Sequence, residues 1–197
     1  MLACLGALAL AAAAAPAADT PPPAPAGSTS AFDQVLQLLA ARRHGRVSYS
    51  EVQQMAMLER PLSSSGELVY QAPDHLEKRV LAPKPETLIL DHGVLTAQRG
   101  QRTRVLSLRD YPQVVPFVES IRATLAGDRA ALEHYFRAQF EGDVDRWTLR
   151  LVPTDASVAH TVQEIRIAGE RAAVLMVEIR LVDGDRSLVT LGPEIPP

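Results

Sequence analysis

The chain has 197 residues, of which 47% are hydrophobic and 22% are charged, and its formal net charge is -3. This length is enough for one domain with a substantial core and too short for two of ordinary size. The slightly negative charge and the scattered basic residues exclude the basic patch that is typical of nucleic-acid-binding proteins. We therefore expect a single globular domain with no nucleic acid partner.

The beginning of the chain is predicted to be a leader. An apolar run from Leu2 to Ala15 is too short to span a bilayer and ends at Ala15-Pro16-Ala17, an A-x-A-type processing site. This is typical of a secretory signal peptide over residues 1–17. No Lys or Arg precedes the run, so either the start lies upstream or the segment is atypical. The Pro-rich residues 18–30 predict a disordered tether. Cleavage would remove the only cysteine, Cys4, so we expect no disulfide and no cysteine metal site.

A helix is predicted to open the domain. Ser30 is the expected N-cap, and Asp33 three residues later forms a weak capping box. Apolar residues then recur at helical spacing at Phe32, Val35, Leu36 and Leu39. The helix is expected to end near Arg43-His44-Gly45, where cations and a glycine favour termination.

Strands are predicted for the next part of the chain. One covers Val47 to Met57, and the stretch from Gly66 to Val80 has the alternation of two strands joined at Ala72-Pro73. Proline cannot donate to a ladder, so Pro73 fits the joint better than a strand centre. Within this stretch Leu68 and Tyr70 share one face of the first run. Leu76, Lys78 and Val80 share one face of the second.

The predicted meander continues through three short strands, which cover Thr87 to Leu90, Val94 to Gln98 and Arg102 to Leu108. Two helices follow, from Val114 to Leu125 and from Asp128 to Arg137, because apolar residues there recur at helical spacing. Strands then resume after Gly142 and are expected around Trp147, Gln163, Leu175 and Ser187, with the last of them ending at Leu191.

This order of elements predicts an α+β fold. A helix, about six strands, two helices and about four more strands make an antiparallel sheet so long that it must curl or close. We expect a curved antiparallel sheet that forms an incomplete β-barrel, with helices covering its concave face. The domain is predicted to cover residues 31–192, and residues 193–197 are expected to be a loose tail.

The sequence contains no motif that indicates catalysis. There is no G-x-S-x-G, no H-E-x-x-H and no glycine-rich phosphate loop. Asp74-His75 and Asp91-His92 are neighbours that would point to opposite faces of an extended backbone, so they are not expected to share a metal or a proton. Asp183-Gly184-Asp185 is explained by a hairpin turn without calcium. We predict no catalytic residue, no metal and no cofactor, and a protein that is not an enzyme.

Apolar surface is what remains as a candidate for function. The inward faces of the strands and the middle helix supply a candidate set for a lipid-binding cavity: Tyr49, Leu68, Tyr70, Leu76, Leu88, Leu90, Leu106, Leu108, Val118, Ile121, Leu125, Trp147, Leu149, Ile165, Ile167, Val177 and Ile179. These residues either fill one another as an ordinary core or leave a cavity that accepts acyl chains. The sequence does not separate the two.

One stretch resembles a known family. In it, Gly66 opens a strand that runs into the x-Pro-x-x-Leu step Ala72-Pro73-Asp74-His75-Leu76. It is similar to the second and third strands of the LolA family, the periplasmic carriers of bacterial lipoproteins. The order of elements also agrees with that family over about Phe32 to Leu191.

The resemblance implies a monomeric periplasmic carrier with an apolar cavity. Its cargo would be an acylated lipoprotein or lipid, received from an inner-membrane transporter and delivered to an outer-membrane acceptor. The lid would be formed by the helices near Val114 to Leu125 and Asp128 to Arg137. The family has an Arg just before the Pro of the opening motif, which holds the lid closed, and here that position is Ala72. The same latch is therefore not expected, and the cargo could be a lipoprotein, a glycolipid or another acylated molecule.

Two other functional classes stay open. A regulatory protein on the same fold could sense acyl groups and signal through a partner, which would require an additional protein-binding domain. A lipid-modifying enzyme would require a polar triad in the cavity.

Overall fold

The computed structural model describes residues 29–110 and 115–196 of the chain, apart from the side chains of residues 116 and 117. The predicted signal peptide, all of the tether except its last two residues, and the predicted helix start at Val114 lie outside these residues. Four helices are present in the described part: α1 (Ala31–Ala40), α2 (Val115–Ala126), α3 (Arg129–Tyr135) and α4 (Ala156–Ala159). Eleven strands accompany them: β1 (His44–Gln54), β2 (Leu62–Gln71), β3 (His75–Ala82), β4 (Glu86–Asp91), β5 (Val94–Arg99), β6 (Arg102–Ser107), β7 (Phe136–Gly142), β8 (Trp147–Pro153), β9 (Val162–Glu170), β10 (Ala173–Leu181) and β11 (Arg186–Glu194).

All the strands belong to one antiparallel sheet. Its order is β6-β5-β4-β3-β2-β1-β11-β10-β9-β8-β7, so the first and last strands meet at its centre. Within the described residues β6 and β7 form the two edges and do not pair with each other, which leaves the barrel open. The predicted α+β class and the incomplete barrel are confirmed.

The core occupies only one half of the concave face. Ser30 caps α1, because its hydroxyl accepts the N–H of Asp33 at 3.1 Å, as the sequence predicts. The apolar stripe of α1 then packs with α3 and with strands β7, β8 and β9. The fully or nearly fully buried members of this core are Phe32, Val35, Leu36, Leu39, Ala123, Leu132, Phe136, Trp147, Leu149, Leu151, Val158, Val162, Ile165 and Ile167. The other half of the sheet, from β5 to β1 and on to β10, has no comparable helical layer.

Strand β7 and the short helix α4 were not predicted from the sequence. The predicted second helix of the pair was expected to run to Arg137, but α3 ends at Tyr135 and Phe136 is already extended, with φ -134° and ψ 148°. Phe136 fits both the helical stripe of α3 and the alternation with Ala138 and Phe140 along β7. No Gly or Pro separates the two patterns, so local sequence gave no boundary.

Some predicted boundaries were wrong. Helix α1 ends at Ala40, and β1 begins at His44, inside the expected helix end. That strand stops at Gln54, so Met55 to Met57 lie in the following turn. Strand β11 continues to Glu194, which orders the start of the tail that was expected to be loose, and the N–H of Ile195 donates to the carbonyl oxygen of Arg46.

Gly66 is required by the close approach of two strands. It lies in β2 at a bulge opposite Val80, and a Cβ at this position would overlap the carbonyl oxygen of Arg79 in β3. The obstacle is backbone, which cannot rotate away as a flexible side chain could. The glycine that opens the β2–β3 stretch is therefore explained by packing between strands.

Replacing Gly66 with alanine is expected to lower the free energy of unfolding by about 3 kcal/mol, because the two strands must move apart to admit the methyl group. Urea denaturation followed by the fluorescence of Trp147 measures this change. The matched control is Gly45→Ala in β1, where a Cβ meets nothing within 4 Å, and its effect should stay within about 0.5 kcal/mol. Equal stability of the two variants would contradict the packing explanation.

Candidate ligand-binding cavity

A cavity of about 1040 Å³ lies on the concave face of the sheet. Its wall is formed by strands β1 to β5 and β9 to β11, and helix α2 covers part of it. This volume is at the upper end of the range of roughly 300–1,000 Å³ that is usual for small-molecule sites. The cavity exists because the core fills only the β7–β9 half of the curved sheet.

Most of the predicted cavity residues line this space. They come from six strands and from α2, and alternation along each strand directs them to the concave face. The predicted residues on the cavity wall are Tyr49, Leu68, Tyr70, Leu76, Leu88, Leu90, Val118, Ile121, Leu125, Ile167, Val177 and Ile179.

The remaining predicted residues do not line the cavity. Trp147, Leu149 and Ile165 are fully buried in the core with the apolar side of α1, since β8 and β9 pass under that helix. Leu106 lies on the edge strand β6, opposite Leu95 and beyond the cavity wall. Leu108 is buried in a 3-10 turn after β6. The prediction of these five as cavity residues is corrected accordingly.

The two helices that were expected to form a lid differ in position. Helix α2 presents Val118, Ile121 and Leu125 to the cavity. Helix α3 instead buries Leu132 in the core, and none of its described residues is on the cavity wall. Among the helices of residues 29–110 and 115–196, α2 covers the cavity, together with Leu39 near the end of α1.

An ion pair on the cavity wall was not predicted. Glu51 of β1 is 6% exposed, and its carboxylate accepts a hydrogen bond from the ammonium of Lys78 in β3 at 2.5 Å. The same carboxylate accepts hydrogen bonds from Gln53 at 2.9 Å, Ser64 at 3.1 Å and Ser187 at 2.8 Å. Each carboxylate oxygen of Glu51 thus accepts two hydrogen bonds, as a buried charge requires.

These contacts keep Glu51 ionised. Burial raises the pKa of the Glu51 carboxyl, but the hydrogen bond and charge of Lys78 and the hydrogen bonds from Ser187 and Gln53 lower it more. The net result is a pKa below the ordinary value of 4.5. Glu51 is therefore a carboxylate at neutral pH.

Tyr49 lies beside this ion pair. The Lys78 ammonium is 5.0 Å from the centre of the Tyr49 ring, within the range of a cation–π interaction. The Tyr49 hydroxyl is buried and has no hydrogen-bond partner in the described part of the chain. Alternation of Val47, Tyr49, Glu51 and Gln53 along β1 was the available sequence signal for Glu51, since it puts the carboxylate on the same face as Tyr49.

A second polar cluster lies away from the cavity, at the turns that follow β2 and β4. The Asp91 carboxylate and the His92 imidazole Nδ1 are 2.8 Å apart, and Asp74 is 3.9 Å from Nε2 of His92. This corrects the expectation that Asp91 and His92 point apart, because His92 has a φ of +47° in a turn and is not extended. The donor atoms of these three residues lie within 4.8 Å of one another, a set that a metal ion could use, but His92 and Asp91 are exposed.

The sequence matches a known protein family. The family model described as outer membrane lipoprotein carrier protein LolA-like matches residues 24–193. The chain belongs to this family. The resemblance that the β2–β3 stretch indicated is thereby confirmed, for a divergent LolA-like member. No curated protein sequence matches the chain.

Solved structures with a similar arrangement have low sequence identity to this LolA-like chain. A LolA superfamily protein from Nitrosomonas europaea is 11% identical, with 86% of this chain and 94% of that chain covered and a TM-score of 0.43. The lipoprotein LppX from Mycobacterium tuberculosis is 8% identical, with coverage of 85% and 96% and a TM-score of 0.46. The MucA/MucB complex from Pseudomonas aeruginosa gives 13% identity, coverage of 85% and only 59%, and a TM-score of 0.46. No helix in the described ranges is both long and apolar enough to cross a membrane.

Removing one partner of the ion pair is expected to lower stability more than removing both partners. Lys78→Met leaves the Glu51 carboxylate buried without its cation and should lower the free energy of unfolding by about 3 kcal/mol. The double variant E51Q/K78M removes both charges and should recover to within about 1 kcal/mol of wild type. Urea denaturation of wild type, both single variants and the double variant measures the coupling. Additive effects of the two single changes would contradict the burial of a coupled pair.

The same pair predicts a dependence of stability on pH. Because the pKa of Glu51 is lower in the folded protein than in the unfolded chain, its stabilisation is complete above pH 4.5 and is lost as the pH falls through the lower folded value. Between pH 7 and pH 3 the free energy of unfolding of the wild type should therefore fall by more than that of E51Q/K78M. A difference that does not change over this interval would contradict the assignment.

Proposed function

We propose that this protein binds the acyl chains of lipoproteins, or of another lipid, in the concave cavity and carries them towards the outer membrane. The observation that supports this most directly is a cavity of about 1040 Å³ with mainly apolar walls in a chain of the LolA-like family. Transfer of each methylene group from water into such a space stabilises the complex by about 0.8 kcal/mol. A few acyl chains could thus be held strongly without polar chemistry.

A carrier must also release its cargo, and α2 is the element that we propose to move. It covers the cavity through Val118, Ile121 and Leu125, whereas α3 is anchored in the core by Leu132. Movement of α2 would open the cavity and would withdraw Ala123 from the core, while the core contacts of α1 and α3 with β7–β9 stay in place. Because Ala72 replaces the family Arg before the Pro, the closed position of α2 cannot depend on that latch. A lid with two positions of similar energy suits reversible binding.

The remaining parts of the proposal come from the family. We propose a periplasmic location after removal of the predicted signal peptide, a monomeric state, and handover between an inner-membrane transporter and an outer-membrane acceptor. The role is that of a binding protein and not of an enzyme. In support, the Glu51 carboxylate on the cavity wall is tied up in an ion pair with Lys78 and in hydrogen bonds from Ser64 and Ser187, as in a structural polar cluster.

Narrowing the cavity is expected to weaken acyl binding. Val177 in β10 lies on the cavity wall between Ile167 and Val189. Val177→Trp should reduce the affinity for a fluorescently labelled palmitoyl chain about tenfold or more, because displacing about two methylene groups costs that much. Fluorescence titration measures the dissociation constant.

The matched control puts the same side chain on the other face. Thr190 in the neighbouring strand β11 is exposed and outside the cavity lining. Thr190→Trp should leave the dissociation constant unchanged. Equally tight binding by wild type and both variants would mean that the acyl site is not in this cavity, and would contradict the proposal.

A further inference from the structure

The Glu51–Lys78 ion pair is a fully hydrogen-bonded polar site within the mainly apolar cavity wall. Lys78 lies in the middle of the concave face, with Leu68 of β2 opposite it on one side and Leu88 of β4 on the other. Glu51 is flanked in the same way by Ser64 of β2 and Val189 of β11. An ion pair set among apolar neighbours is costly to bury, so it needs an explanation beyond filling space.

The Glu51 acceptors are all used in hydrogen bonds, whereas the Lys78 donors are not. The Glu51 carboxylate is saturated by Lys78, Gln53, Ser64 and Ser187. A lysine ammonium has three N–H donors, and within the described residues that of Lys78 donates one to Glu51 and otherwise faces the Tyr49 ring. Its side chain keeps 28% of its surface exposed on the concave side. At this place the wall therefore offers the Lys78 donor to the cavity, while the Glu51 acceptor is already used.

The charge balance limits what this donor can bind. Glu51 and Lys78 together carry no net charge, so a carboxylate or phosphate at the ammonium would be a second anion close to a buried one. A buried anion without its own counter-charge is strongly disfavoured. A neutral oxygen that only accepts a hydrogen bond satisfies Lys78 without adding charge.

We propose that Lys78, held by Glu51, binds the carbonyl oxygen of the ester or amide that links an acyl chain to the rest of the cargo molecule. The Tyr49 hydroxyl is buried and has no hydrogen-bond partner among the described residues, and the centre of its ring is 5.0 Å from the ammonium, so it is a second donor if the wall adjusts to a bound carbonyl group. The inference rests on the proposed function and adds the position of the cargo: the acyl chains extend along the apolar wall from a linkage fixed at β1 and β3. The ester and amide linkages of a lipoprotein and the esters of a glycerolipid share this chemistry.

The test compares ligands that differ only in the carbonyl groups. Dipalmitoylglycerol has two ester carbonyls, and dihexadecylglycerol is its ether analogue without them. The full chain after signal removal should bind the ester at least about tenfold more tightly than the ether, which is the usual effect of a hydrogen bond to a charged group. Methyl palmitate should likewise bind more tightly than palmitate, whose carboxylate would add a charge. A synthetic diacylated lipopeptide in the same assay decides whether lipoprotein or glycerolipid is the better source of the linkage.

Two variants assign the preference to this site. In E51Q/K78M the ratio of ether to ester dissociation constants should fall to about one. The control R46M/E67Q removes an ion pair between β1 and the neighbouring strand β2 on the outer face, where Arg46 donates to Glu67 at 2.7 Å, and should keep the wild-type ratio. The wild-type comparison needs no variant, so a folding defect does not remove the test.

The outcomes separate the two proposals. Ether and ester that bind wild type equally well would overturn the carbonyl site and leave the acyl-binding cavity standing. A preference for palmitate over methyl palmitate would overturn the charge argument and with it the carbonyl site. Failure of all these ligands to bind would overturn both proposals. A preference for the ester that survives in E51Q/K78M would move the carbonyl contact away from Lys78.

Discussion

The curvature of one long sheet is the constraint on which the rest of the structure depends. Eleven antiparallel strands must curl to bury one face, and the described helices cover too little of that face to fill it. Helices α1 and α3 pack on β7, β8 and β9 and complete a dry core there. The other half of the concave face is covered mainly by α2, and the cavity is the space that results.

The division of the sheet also explains where stability and adaptability are located. The core half holds large side chains that are almost completely buried, such as Trp147, Leu149 and Phe136. The cavity half is held together by ladders between strands and by the Glu51–Lys78 pair, which ties β1 to β3 across β2. The proposed carrier role calls for a stable frame and a wall that can accept different chains, and the two halves of the sheet suit these two needs.

How much of this could be predicted depends on whether the signal is local. Alternation located most strands and directed residues such as Tyr49, Leu68 and Val177 to the concave face. The same alternation occurs at Trp147, Leu149 and Ile165, which are core residues because α1 lies over them. That contact joins distant parts of the chain, so no local pattern reports it. The Glu51–Lys78 pair was missed for the same reason: its partners are 27 positions apart, and a lone carboxylate in a strand is usually solvated. Strand β7 was missed because Phe136 suits two periodicities at once.

The central claim is that the concave space is a site for acyl chains and not a packing defect. Native mass spectrometry of the mature protein purified from a bacterial periplasm, combined with organic extraction of whatever copurifies, tests it most directly. The account predicts a bound acylated lipid or lipopeptide that leaves on extraction. A protein that copurifies with nothing and also fails to bind a fluorescent acyl probe would contradict it. The apolar cavity wall, which includes Leu68 and Val177, would then be an imperfectly filled core.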